Sequence, residues 1–329
     1  MDETRDSGLL STSAVLAGVD RELLVATGAD RVRFLHGVVT GDVAGTPVGG
    51  GCHAALLTVK AHVVAEMRIF VREAELYLAV PAGQGAATAQ ALSRYAIMDD
   101  FAATPSAELG LLALLGPGSS DRLAAAGYSP VALASRPLWS HAEVAGPPGP
   151  LWLARARQLG VEGTWIGGGL VVLERLTEAL QRLGVQRLSP EVAEAARVAA
   201  GEPAWGREIT DDYFPTEIGL DDAIDYTKGC FLGQEPIVRI RDRGHLNWRL
   251  VRLELGAGEQ AAAGSAEPAP GDQLETDLRP KAGHLTSVAR LPDGRGVALG
   301  LVHASITSGQ RVRIRAAAGV ITYGATVIG

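Results

Sequence analysis

Lys228-Gly229-Cys230-Phe231-Leu232-Gly233-Gln234-Glu235, followed by Pro236-Ile237-Val238-Arg239, is the chemically densest stretch of the chain. Two glycines four residues apart let the backbone turn tightly or approach a ligand closely. Between them stands Cys230, two residues from Lys228, the only lysine between Lys60 and Lys281. A neighbouring ammonium lowers a thiol's pKa and raises its thiolate fraction. Gln234 adds an amide that both donates and accepts, and Glu235 adds an anionic acceptor. The same residues also describe a structural cysteine in a glycine-rich turn, so composition leaves both readings open.

Around this stretch, residues 201–250 read as loop-rich and crowded with charged and aromatic residues. Downstream, alternation at 249–255, 297–302, 311–315 and 320–323 predicts a small barrel or sheet. A long exposed loop is expected over 256–272, which is rich in Gly, Ala, Glu and Pro. Upstream, apolar runs at 54–59, 63–71 and 76–80, joined by short connectors, predict an antiparallel meander. Strands are also expected at 109–115 and 151–156, with a linker over 145–150. Helices are expected over about 84–95, from Ser119 or Ser120, near 170–184 and 190–200, and after Asp30, whose carboxylate suits an N-cap. Mixed strands and helices without a regular βαβ rhythm place the chain in the α+β class.

The 329 residues are 47% apolar and 20% charged, enough for a sizeable core, and the length suits two compact units or one large one. A net charge of −7 argues against nucleic acid as a partner held by a basic field. The local basic run Arg239, Arg241, Arg243, His245, Arg249 and Arg252 has one interleaved aromatic, Trp248, and is balanced by Asp221, Asp222, Asp225 and Asp242. It suits a solvated face, carboxylate groups or an acidic protein better than RNA or DNA. Cys52 and Cys230 are the only cysteines, which excludes a disulfide scaffold and a four-cysteine metal site from one chain. The histidines show no metal-ligand spacing, and Cys52 and His53 would point to opposite faces of a strand. An acidic start and the lack of an apolar run near 18 residues predict a cytoplasmic protein without a membrane partner. Gly116-Pro117-Gly118 and Gly167-Gly168-Gly169 do not complete a dinucleotide fingerprint, and no Gly-x-Ser-x-Gly elbow is present.

The octapeptide, with Arg239 downstream, resembles the signature of the YgfZ-type folate-binding proteins. These are relatives of the glycine-cleavage aminomethyltransferase, or T-protein, and support the assembly or repair of iron–sulfur enzymes. The resemblance extends over most of the chain. Gly28-Ala29-Asp30, Phe34-Leu35-His36-Gly37 and Thr40-Gly41-Asp42-Val43 look like the family's opening block, and Leu56-Leu57-Thr58-Val59-Lys60 like its next strand and turn. Gly201-Glu202-Pro203, Gly206-Arg207 and Pro215-Thr216-Glu217 precede the signature as in relatives, and Gly283-His284-Leu285-Thr286-Ser287 resembles a block of the C-terminal barrel.

This resemblance implies a T-protein-like fold: two lobes over residues 1–245, a β-barrel lobe over 246–329, and the three lobes set around a central folate pocket. It implies tetrahydrofolate as cofactor and iron–sulfur client or assembly proteins as partners. Cys230 becomes the reactive or cluster-facing group, with Lys228 beside it, and Gly229, Gly233, Gln234, Glu235 and Arg239 border the cofactor. Glu66 matches an acidic residue of the folate site on the second meander strand, and Tyr77 an aromatic contact. By alternation Glu66 shares a face with Arg68, so a solvent-face ion pair is its other reading; core packing is the other reading of Tyr77. Ala199 stands where relatives carry a glutamate toward the pterin. Two further functions stay open: a folate-dependent aminomethyltransferase or demethylase, and a folate-free adaptor.

Overall fold

A computed structural model describes residues 10, 13–129, 133, 135–244, 246–256, 267–315 and 321–328. They divide into two compact units, one mainly of residues 8–188 and 221–238, the other of 189–220 and 239–329. The α+β class is as expected, with two open sheets in the first unit and a closed barrel in the second.

The first sheet contains the expected meander. Strands β3 (Gly51–Leu57), β4 (Val63–Val71) and β5 (Leu76–Pro81) pair antiparallel, and β2 (Arg21–Thr27) and β6 (Ala102–Pro105) extend the order to β3-β4-β5-β2-β6. Successive strand residues point to opposite faces. One face collects Leu24, Leu56, Met67, Ile69, Leu78 and Val80, which pack against Phe34 and Leu35 of helix α1 (Arg31–Val38) and Leu92 of α2 (Gly85–Ser93). The opposite face carries His53, Glu66, Arg68, Phe70 and Tyr77, with His53 opposing Arg68 and Phe70 opposing Tyr77 across the ladder.

The second sheet has the order β11-β1-β7-β10-β9-β8. Its strands are β1 (Val15–Gly18), β7 (Leu109–Leu115), β8 (His141–Val144), β9 (Leu151–Gln158), β10 (Val161–Gly169) and β11 (Gln186–Arg187). Leu16, Leu114, Leu153 and Ile166 form a core with Leu123 of α3 (Ser119–Ala125) and with Leu173, Leu176 and Leu180 of α4 (Leu170–Arg182). Trp152 of β9 and Trp165 of β10 meet the first sheet: Trp152 lies 4.8 Å from Phe70 and 5.9 Å from Tyr77 between ring centroids, and Trp165 lies 6.4 Å from Phe70. An aromatic layer therefore joins the two sheets.

In the second unit, β12 (Trp248–Leu255), β13 (Gln273–Thr276), β14 (Arg279–Arg290), β15 (Gly296–His303), β16 (Arg311–Arg315) and β17 (Ile321–Val327) close in the order β12-β15-β14-β13-β16-β17. Leu253, Leu274, Leu285, Val302, Ile314 and Val327 belong to its buried core. Helix α5 (Pro190–Ala200) lays Ala195, Val198 and Ala199 against Leu291, Val297 and Leu299. Ser189 caps it through Val192 N–H, Pro190 occupies its first turn, and Gly201 ends it at φ +77°.

Two expectations need correction. Within 201–250, read only as loop-rich with no helix expected, residues 234–243 form helix α6 (Gln234–Arg243). Pro236 is tolerated there because the first-turn N–H groups have no intrahelical partner. Asp30 precedes α1 but does not cap it; its backbone is outside the β region, and its carboxylate accepts from Asp100 N–H at 2.9 Å. Most of the loop expected over 256–272, and His245, lie outside the described residues. Among the described residues, no helix is long and apolar enough to cross a membrane.

Phe70 is fully buried where the two sheets meet. Phe70→Ala is expected to cost about 3–5 kcal/mol of stability in urea unfolding. A loss below about 1 kcal/mol would show that the aromatic layer does not join the sheets.

Candidate functional site

Glu66 projects from β4 and is 1% exposed. Its Oε2 lies 2.7 Å from Arg21 Nη2. Its Oε1 lies 2.6 Å from His53 Nε2 and also meets the Arg68 guanidinium. Strand pairing explains the convergence. His53 opposes Arg68, Glu66 is two residues along the same face, and Arg21 reaches across from β2 while donating to Ala79 O at 3.1 Å. The Glu66–Arg68 pair thus forms, but in the interior rather than on a solvent face.

Burial alone would raise the Glu66 carboxyl, but Arg21, Arg68 and His53 outweigh it and hold the group well below the usual carboxylate range. At neutral pH the group is an oriented anion, able to accept hydrogen bonds or attract positive charge. It cannot donate a proton.

The other nitrogen of His53, Nδ1, lies 2.9 Å from Asp222 Oδ1 on the short 3₁₀ turn Asp221–Ala223. The His53 side chain is 3% exposed and that of Asp222 is 64% exposed, so a carboxylate–imidazole–carboxylate line runs from surface to interior. Beside it opens a cleft of about 690 Å³, whose walls include Asp42, Thr46, Cys52, His53, Trp139 and Asp222. Trp139 is held at φ +67°. That left-handed conformation costs an ordinary residue roughly 1–2 kcal/mol. Its ring lies 4.8 Å from the Arg68 guanidinium and 5.0 Å from Trp165, and the Trp139 backbone N–H donates to Arg155 O at 2.9 Å. The strained backbone therefore sets the indole against the cation that neutralises Glu66.

Residues 225–227 continue the cleft wall and lead into the octapeptide. Lys228 Nζ donates to three carbonyls at the end of α1: His36 O, Val39 O at 2.7 Å and Gly41 O at 2.8 Å. Helix C-termini leave such carbonyls unpaired and favour a cation beside them. Burial pushes the Lys228 ammonium down to about 8, against the pull of Asp42, Cys52 and Asp225. All three of its donors are used, so its work in the structure is to hold the loop.

Gly229 and Cys230 follow on the exposed side, and Phe231 returns to the interior. Gly233 sits at φ +78°, and a Cβ there would lie 2.4 Å from Thr58 O in the β3–β4 turn. Only glycine fits. Gln234 and Glu235 open α6, and Arg239 lies one turn beyond Glu235 on its exposed surface. The loop is clamped at both ends and presents Cys230 between the clamps. Cys52, by contrast, is pushed up to about 11 by burial and is a protonated thiol at neutral pH.

Tyr77 is set apart from these groups. It is buried in the aromatic layer, with the Arg72 guanidinium 4.4 Å over its ring, which agrees with its core-packing reading. Ala199 lies among apolar neighbours in the second unit, and its carbonyl accepts from Arg252 Nη1 at 3.3 Å. Another member of the basic run, Arg241, pairs with Asp242 at 2.6 Å. Sequence reasoning missed Arg21, His53, Trp139 and Asp222 as parts of one site. The His53–Arg68 register could be had from the hairpin, but nothing local announces the other three. Among the described residues, no group of three or more His, Cys, Asp or Glu side chains could hold a metal ion.

The profile of a family described as the GCVT N-terminal domain matches residues 21–228. An aminomethyltransferase of Listeria monocytogenes is 26% identical over 253 residues, covering 76% of this chain and 67% of that protein. A chloroplastic Arabidopsis thaliana protein with a provisional transferase name is 25% identical over 276 residues, covering 82% of this chain but 60% of that protein. In three dimensions, the glycine cleavage system aminomethyltransferase T from Bartonella henselae superposes with a TM-score of 0.81 over 97% of this chain and 86% of that one, at 22% identity. That likeness shows the fold.

Two measurements check the site. Because Glu66 is held below its ordinary value of 4.5, its stabilisation is fully present above that pH and is lost as pH falls through the native value. The stability advantage of the wild type over Glu66→Gln should therefore shrink below about pH 4.5; a constant difference would refute the ionised assignment. At pH 7, iodoacetamide should label Cys230 quickly and Cys52 slowly, and Cys230→Ser should abolish the fast phase.

Proposed function

Because the chain belongs to the family defined by the GCVT N-terminal domain, we propose that it binds tetrahydrofolate and supports the assembly or repair of iron–sulfur enzymes. The observation that carries this reading is the presentation of Cys230. Lys228 fixes one end of the octapeptide to three carbonyls and Gly233 fixes the other against the β3–β4 turn, which leaves the thiol exposed on a held loop. The octapeptide resembles the YgfZ-type signature, and this geometry suits a group that meets a partner or cluster rather than one that fills a core. Gly229 adds room, since a Cβ there would meet nothing within 4 Å.

In this reading Cys230 acts on the iron–sulfur client, and Gly229, Gly233, Gln234, Glu235 and Arg239 border the folate. Glu66 supplies a fixed negative charge to it, Tyr77 offers the aromatic contact that the resemblance implies, and the protein works in the cytoplasm. A second reading, a folate-dependent aminomethyltransferase or demethylase, draws on Glu66 being buried and ionised. It requires one-carbon transfer from an amine donor, detectable as methylene-tetrahydrofolate or formaldehyde.

Calorimetric titration with tetrahydrofolate should give saturable binding to the wild type and to Cys230→Ala alike. In a deletion strain, Cys230→Ala should keep its fold and fail to restore iron–sulfur enzyme activity. Full restoration would remove the role assigned to the thiol. Absence of binding by the wild type, with recovery in a folded Ala199→Glu variant, would replace the folate reading with the adaptor.

A further inference from the structure

A second cavity, of about 390 Å³, opens beside the β4–β5 turn and shares no lining residue with the cleft described above. It falls within the usual size range of small-ligand sites. Arg72, Glu73 and Glu75 of the turn line it, as do His141 and Glu143 of β8. The Arg72 guanidinium meets Glu143 and lies 3.5 Å from Glu75, whose carboxylate also meets the Tyr77 hydroxyl. One guanidinium cannot neutralise three carboxylates, so the walls attract positive charge. His141 adds an independent sign of a ligand. It is 4% exposed, and its Nδ1 is buried without a hydrogen-bond partner. Such an orphaned polar atom calls for an explanation. Burial, helped by Arg72, pushes the imidazole down to about 4 against the pull of Glu143 and of the Trp139 and Gly50 carbonyls, so the ring is uncharged at neutral pH.

We propose that this cavity binds an alkylammonium or guanidinium group, which is held by Glu73, Glu75 and Glu143 and donates an N–H to the His141 ring. A neutral imidazole keeps one acceptor lone pair, and a cation with several N–H groups can donate to it and to the carboxylates together. An anion would face three carboxylates. Among the described residues no group of three or more His, Cys, Asp or Glu side chains could hold a metal ion, which leaves an organic cation. Val48, Ala74 and Ala142 line the same cavity and suit the methylene stem that carries such a head group. The head group can come from a free amine or from a basic side chain of a protein partner. This site goes beyond the folate reading and does not depend on it.

The test is titration of the full chain at pH 7 with butylammonium chloride and with the peptide acetyl-Gly-Lys-Gly-amide, followed by ¹⁵N NMR of the His141 ring. Tetramethylammonium, a cation without N–H donors, is the control. Butylammonium should bind saturably, with a Kd of roughly millimolar order, and shift the His141 ring signals. Tetramethylammonium should leave them in place. Tighter binding of the peptide assigns the head group to a protein partner, and tighter binding of butylammonium assigns it to a free amine. Glu73 and Glu143 are exposed, so the double variant Glu73→Gln, Glu143→Gln is expected to fold, and it should weaken butylammonium binding roughly tenfold. His141→Phe should bind butylammonium no better than tetramethylammonium; should that variant not fold, the ring signals and the glutamine pair still decide. No saturable shift of the ring, an equal shift with tetramethylammonium, or unchanged affinity in the glutamine pair would overturn the proposal.

Discussion

A carboxylate buried between two sheets survives as an anion only if its charge is met, and Glu66 is met by Arg21, Arg68 and His53. Taking such a group out of water costs several kcal/mol before partners are counted. That requirement reaches far into the fold. β2 must lie beside β5 to deliver Arg21, β3 must pair in a register that puts His53 on Arg68, and the second sheet must bring Trp139 against the Arg68 guanidinium. Buried ion clusters are seldom the cheapest source of stability. This cluster yields a carboxylate with a fixed orientation, which an apolar replacement could not offer.

The octapeptide solves a different problem with the opposite economy. Phe231 is buried and Leu232 packs against the first-sheet core, and two further devices fix the ends of the cysteine loop. Lys228 converts the unpaired carbonyls of a helix end into an anchor, and Gly233 removes the side chain that would collide with Thr58. Between them the thiol side stays open. The contrast between Cys230, exposed, and Cys52, half-buried with its thiol raised, arises from placement.

Most of the frame was legible from the sequence because it rests on short-range periodicity. The meander strands 63–71 and 76–80 and the helices near 170–184 and 190–200 follow from alternation and apolar spacing, and each was found within a few residues. Helix α6 was missed because its charged residues and Pro236 masked a first turn in which proline does no harm. The site was legible only in part. Glu66 and Lys228–Glu235 stand out through resemblance, whereas Asp222 meets His53 from 169 positions away in the chain, a contact that local pattern does not encode. The left-handed backbone of Trp139 was equally silent, since tryptophan carries none of glycine's usual warning.

The two kinds of sheet in this chain differ in what they offer to other polypeptides. The barrel closes by pairing β12 with β17, so those strands present each other with the hydrogen-bonding groups that an open edge would leave bare. The first unit has no such closure, and its sheets end on strands as short as β6, β8 and β11. Strands of two to four residues give an incoming strand very little ladder to extend. Protection from edge-to-edge association is thus achieved by closure in one unit and by brevity at three of the four margins in the other. The fourth margin, seven-residue β3, is covered instead by the chain that follows α1: Val39 bridges Leu56, Thr40 N–H donates to Ala55 O at 2.9 Å, and Ala55 N–H donates to Thr40 Oγ1 at 2.8 Å, so the strand that carries His53 and Cys52 is shielded by a side chain and two backbone groups.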